Sequence, residues 1–164
     1  MRETLEGRRL GFALRPPLAG VAVGLAVALT LLDLMAWFGW GARSTNGFVI
    51  AAYWLAIAVA VVTLLGVATA LAELLDAPDE DRSLARLDAI AVAVATLIYV
   101  ISAAIRAFEL GAAASSPPAF LLAIAGLVVL IAGAAMSSLL YGAREWEEIE
   151  EVTHDRHRRR RSAS

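Results

Sequence analysis

The sequence predicts an all-α integral membrane protein, a four-helix bundle running up-down-up-down. Three observations predict it. The 164-residue chain is 60% hydrophobic and 18% charged, with a mean hydropathy of +0.71, whereas about a quarter of a soluble domain is charged. Four apolar segments reach the ~20 residues that carry a helix across a hydrocarbon core of about 30 Å. The links between them, "GARSTNG", "DAPDEDRSLAR" and "GAAASSP", are short, so successive helices become antiparallel neighbours. A lone strand is excluded because lipid offers its backbone no partners.

In chain order, residues 1–16 form a basic tail, residues 17–142 the bundle and residues 143–164 a charged tail. The first span covers residues 17–40. Its apolar run is too long for a secretory signal, contains Asp33 and is followed by no small-x-small cleavage site, so it reads as an anchor. The second covers 48–75. The third, 87–110, is the least uniformly apolar, and the fourth covers 118–141.

Orientation follows from the arginines, which supply every basic residue because Lys is absent. Arg2, Arg8, Arg9 and Arg15, then Arg82 and Arg86, then Arg144, Arg156 and Arg158 to Arg161 all fall on one side, leaving Arg43 and Arg106 towards the other. The positive-inside bias places both termini in the cytoplasm of a bacterial inner-membrane protein, with Trp37, Trp40 and Phe48 as an outer aromatic belt.

The spans are not wholly apolar. Thr30, Asp33, Trp37 and Trp40 recur at i, i+3, i+7 and i+10, one face of the first helix. Asp88, Tyr99, Ser102, Arg106 and Glu109 fall within about 80° of arc on the third. At 1.5 Å per residue, Asp33 and Arg106 lie about 7 and about 11 Å outward from their midpoints. Opposite charges at similar depth should meet, since a guanidinium forks onto a carboxylate. An intramembrane charge is a functional candidate by default, but a carboxylate held by arginine is poorly suited to exchanging protons. The pair is therefore read as structural, fixing helix register. A polar path through it is the alternative.

Towards the cytoplasmic side, Gly66, Thr69 and Glu73 share a face of the second helix, and Glu73 and Asp88 approach Arg82 and Arg86. That cluster reads as solvated, locally paired interfacial charge; a small cation or a polar head group is the alternative occupant. Gly20-xxx-Gly24, Gly133-xxx-Ser137 and Ala134-xxx-Ser138 have the small-residue spacing that lets helices approach in lipid, within the bundle or in a homodimer.

The ending "REWEEIEEVTHDRHRRRRSAS" reads as a continuation of the fourth helix and then a basic run. Arg158, Arg159, Arg160 and Arg161 are expected at anionic lipid head groups, where each basic residue contributes about 1 kcal/mol. No folded basic module or aromatic platform accompanies them, so nucleic acid is not an expected partner. His154 and His157 read as solvated rather than as metal ligands.

Several chemistries lack their residues. Without Cys there is no disulfide, thiol catalysis or Cys-bound cluster. No span contains a His, the usual axial ligand when facing helices hold haem. Phosphate loops, zinc-helix motifs and nucleophile elbows are missing. No enzyme, metal or cofactor is expected.

The "LLDLMAW" of the first span, the second span "YWLAIAVAVVTLLGVATALAELL" and the Tyr141 end of the fourth resemble a family of small bacterial four-span membrane proteins of unknown function. The resemblance covers roughly residues 15–142. Members of that family typically have an Asp late in the first span, a Gly and an acid in the second, and a Gly-Gly-x-Leu-x-Tyr pattern closing the fourth. Many members open with a His-Pro-rich run and begin the third span with a His, which hints at haem or metal. Here "RPPLAG" and "RLDAIAV" stand in those places.

The expected function is a structural, interaction or accessory membrane subunit, as a homo-oligomer or with a membrane partner. A small transporter using Asp33 and Arg106 is the second reading. A divergent relative of haem-binding redox bundles is the third.

Overall fold

The computed structural model describes residues 15–76 and 82–136. They form four helices: α1, Arg15–Trp37; α2, Gly47–Asp76; α3, Arg82–Ala107; and α4, Pro117–Met136. Each is long and apolar enough to cross a membrane, and together they make the antiparallel bundle expected. The N-tail and the C-tail, including Arg158 to Arg161, His154 and His157, lie outside the described residues.

Local chemistry sets the helix ends. Pro16–Pro17 and Pro117–Pro118 stand in first turns, where the missing proline N–H leaves no bond unmade. Asn46 caps α2: its Oδ1 accepts from Phe48 N at 3.0 Å, the side-chain-to-N2 bond of an N-cap.

Three boundaries differ from expectation. α1 stops at Trp37, short of residue 40, because Gly39 enters the left-handed region at φ 78°. Trp40 N then donates to Met35 O at 3.0 Å and Gly39 N to Ala36 O at 3.0 Å, the paired bonds of a Schellman ending. α3 stops at Ala107, short of residue 110, because Phe108 N and Glu109 N reach back only three residues, to Ile105 O and Arg106 O. That tightens the final turn and ends the helix. At its other end α3 begins at Arg82, five residues before the apolar run, since helix extends beyond lipid wherever its backbone is satisfied.

All four helices build the interior. Ala22 and Ala26 of α1, Val59 of α2, Ala95 and Tyr99 of α3 and Leu130 of α4 form one buried cluster. Leu29, Ala56 and Ala123 form a second. Small side chains let the backbones approach, and in lipid that close packing replaces the hydrophobic effect as the force between helices. The Tyr99 ring lies in a notch on α4: a Cβ added to Gly126 would stand 2.6 Å from Tyr99 Cε2. Large apolar side chains such as Leu31, Leu64, Leu97 and Leu121 face outward, each more than half exposed. On a soluble protein so continuous an apolar exterior would drive aggregation; here it is the lipid-facing surface.

Gly20 and Gly24 of α1 have nothing within 4 Å of an added Cβ. That spacing does not seal the bundle among the described residues.

Candidate functional site

The structure brings Asp33 of α1 and Arg106 of α3 together near the end of the bundle that carries the α1–α2 and α3–α4 loops. Arg106 Nη1 donates to Asp33 Oδ1 at 2.7 Å and Arg106 Nη2 to Asp33 Oδ2 at 2.5 Å. This is the two-pronged geometry that a planar guanidinium forms with a carboxylate. Both side chains have 0% exposure, which decides the character of the site. In such surroundings the charges persist only if every donor and acceptor is matched.

They are matched from three further positions. Arg106 Nε donates to Ser102 Oγ at 3.2 Å, one helical turn back. The second proton of Nη1 goes to Ser115 Oγ at 2.9 Å, and that of Nη2 to Ala119 O at 3.2 Å. A guanidinium has five N–H donors, and all five are engaged. Ser115 Oγ in turn donates to Asp33 Oδ1 at 2.6 Å, closing a ring of three groups. Ser102 Oγ lies 3.4 Å from Ala119 O, and Trp37 Nε1 donates to Ser115 O at 2.9 Å, which ties the same loop residue to α1.

Helix ends favour this arrangement of charge. Arg106 occupies the last turn of α3, where partial negative charge collects and a cation is favoured.

The neighbouring loops are stitched together. Thr45 N donates to Gly111 O at 3.0 Å and Asn46 N to Ala112 O at 3.2 Å. Asn46 Nδ2 donates to Trp40 O at 2.8 Å and to Ala113 O at 2.7 Å. Asn46 thus caps α2 and clasps both loops with one side chain.

Other expected members of the stripes fall elsewhere. Tyr99 is buried and donates to Ala123 O at 3.2 Å, away from the pair. Thr30 Oγ1 donates to Ala26 O at 2.9 Å within its own helix, so it does not join the stripe. Glu109 is not on the α3 face at all, because the helix has ended. Its Oε2 accepts from Ser116 N at 3.0 Å, just before α4. In the cluster at the opposite end, Arg82 and Arg86 are exposed and Glu73 is half-buried, but Asp88 is 2% exposed. Asp88 is therefore no solvated interfacial charge: its position on the inward face of α3 decides its burial. Sequence reasoning missed Ser115, Asn46 and the Ala119 carbonyl. "SSPP" and "TNG" were legible as helix-start signals, but not as contacts.

Chemically, the site is a closed, neutral ring without an open coordination position or an unengaged guanidinium donor. Among the described residues no three His, Asp or Glu side chains converge as a metal site requires. No family model matches the sequence, and no curated protein or solved structure is significantly similar to it.

Proposed function

We propose that this chain is a multi-pass bacterial inner-membrane protein with a structural or accessory role, in which the buried ion pair fixes the bundle rather than handling a solute. The observation that supports this most is the complete engagement of the Arg106 guanidinium by Asp33, Ser102, Ser115 and Ala119. A transporter needs a charged group that releases its partner to bind a substrate or a proton. Here release would leave a full charge in hydrocarbon, at about 2.5–3.5 kcal/mol even on insertion scales. Between Arg106 and Asp88, the α3 residues Ala95 and Tyr99 join a packed apolar cluster, which interrupts a polar route along the bundle.

The distribution of arginines supports cytoplasmic termini, with the clasped loops outside and the basic tail at anionic head groups. The role then lies in the lipid-facing helix surfaces, towards a second copy or a membrane partner. Native mass spectrometry from mild detergent tests the reading. The Asp33→Leu/Arg106→Leu variant should retain the stoichiometry of the wild type. A cation, proton or solute flux in reconstituted vesicles that Asp33→Asn abolishes in a folded protein would instead establish a transport site. Because the chain lacks Cys, a single cysteine at Ser44 and an impermeant maleimide report orientation directly.

A further inference from the structure

The two most exposed large apolar side chains among the described residues lie just past the ends of α1 and α3, beside the fork. Phe108 is 93% exposed and Phe38 78%, and Trp40 in the same loop as Phe38 is more than half exposed. Gathered at one end of a protein in water, such rings would promote aggregation. Their depth points to another medium. From the start of α1 at Arg15 to Phe38, and from Arg86 of α3 to Phe108, is about 33–35 Å at 1.5 Å per residue. A hydrocarbon core is about 30 Å thick, and about 40–45 Å with its interfacial layers. With the start of α1 and Arg86 at one head-group layer, both phenylalanines fall within the opposite interfacial layer.

The loop backbone is suited to such a place. Irregular backbone at membrane depth persists only where something other than bulk water satisfies it. Gly39 N and Trp40 N return to α1, Phe108 N and Glu109 N return to α3, and Thr45 N and Asn46 N cross to Gly111 O and Ala112 O. Asn46 Nδ2 donates to Trp40 O and Ala113 O, and the Glu109 carboxylate accepts from Ser116 N. Exposed polar side chains in these two loops are confined to the run Arg43, Ser44 and Thr45.

We propose that this end of the bundle is a membrane-embedded cap, held in the phospholipid interface of the nearer leaflet. Phe38, Trp40 and Phe108 lodge between head groups and acyl chains, where aromatic side chains collect. They continue the lipid-facing surface of Leu31 and Leu97 over the ends of α1 and α3. Only Arg43 to Thr45 reaches water. The cap keeps bulk water from the fork, because Arg106 lies just before Phe108 in the last turn of α3. It also leaves no projecting surface for a soluble partner at this end, so recognition is lateral or at the opposite end. The cap requires only a membrane-spanning bundle, and is indifferent to the accessory role and to which leaflet faces the cytoplasm.

Because the chain lacks Cys, Phe38→Cys, Phe108→Cys, Ser44→Cys and Leu97→Cys can each carry one nitroxide. The full chain is placed in vesicles of phosphatidylethanolamine and phosphatidylglycerol. Power-saturation paramagnetic resonance then compares collisions with oxygen, which concentrates in lipid, and with a nickel chelate, which stays in water. The oxygen-to-nickel ratio at Phe38 and Phe108 should be several-fold above that at Ser44 and below that at Leu97 in mid-span. Neither phenylalanine is packed inside the bundle, and each variant leaves the other ring seated, so the two sites report independently. A ratio at either one equal to that at Ser44 would put this end in water and overturn the cap. Solute flux through the same vesicles would refute the structural role and leave these ratios unchanged.

Discussion

Replacing Asp33 with leucine removes both carboxylate bonds to Arg106 and the acceptor of the Ser115 hydroxyl. Arg106 keeps Ser102, Ser115 and Ala119 O, three of five partners, but holds a full charge with no counter-ion. Breaking one side of a buried pair costs about 3–5 kcal/mol, and Arg106→Leu should cost a similar amount by stranding Asp33. The double leucine variant strands no charge. It loses the charge-assisted bonds to the two serines and the carbonyl, worth about 1.5–3 kcal/mol each, largely offset by removing the desolvation cost of both charges and by apolar packing. Its loss should therefore be about 1–3 kcal/mol, and the coupling between the sites at least ~3 kcal/mol, at the upper end for contacting residues. Equilibrium unfolding in mixed dodecyl maltoside and dodecyl sulfate micelles, followed by far-ultraviolet circular dichroism, measures all four corners of the cycle. Single-variant losses that add to within ~0.5 kcal/mol would refute the energetic role assigned to the fork.

Three further outcomes are expected from the same unfolding assay. Arg106→Lys keeps the charge but has three donors on a flexible stem and cannot fork, so it should lose roughly 2–3 kcal/mol; near wild-type stability would mean that charge alone suffices. Asn46→Ala removes the α2 cap and both loop clasps and should cost about 2–3 kcal/mol. Asn46→Asp, which retains only the acceptor, should recover part of that; equal losses would show that the cap contributes nothing. Gly126→Ala drives a methyl into the Tyr99 ring and should cost about 1–3 kcal/mol by overpacking, with Tyr99→Leu in the same chain restoring much of the loss; no restoration would place the damage elsewhere.

The four spans were legible because hydrocarbon thickness and hydropathy leave a helix few alternatives. The meeting of Asp33 with Arg106 was legible for a related reason. Two opposite charges within apolar runs at similar depth have one sterically simple way to be satisfied. Ser115 was not legible, because a loop serine is indistinguishable in sequence from its neighbours until the loop is placed over the helix end. Glu109 was misplaced by extending a helical period across a turn: the period is valid only while the i to i+4 bonds continue, and they stop at Ala107. Thr30 kept its period but bonded its own helix, the local competitor that every intrahelical hydroxyl has. Asn46 illustrates a third limit. Its N-cap role can be read from "NG" before an apolar run, whereas its hold on Trp40 and Ala113 depends on two loops separated by an entire hairpin of helices.

The fork also bears on how the bundle responds to an electrical gradient. Moving one elementary charge through 100 mV is worth about 2.3 kcal/mol, enough to bias a conformational equilibrium. Asp33 and Arg106 hold equal and opposite charges at one depth, linked by bonds of 2.7 and 2.5 Å. Any movement of the loop-bearing end carries both together, and the work done by the field on one cancels the work done on the other. The buried pair itself therefore carries no net gating charge.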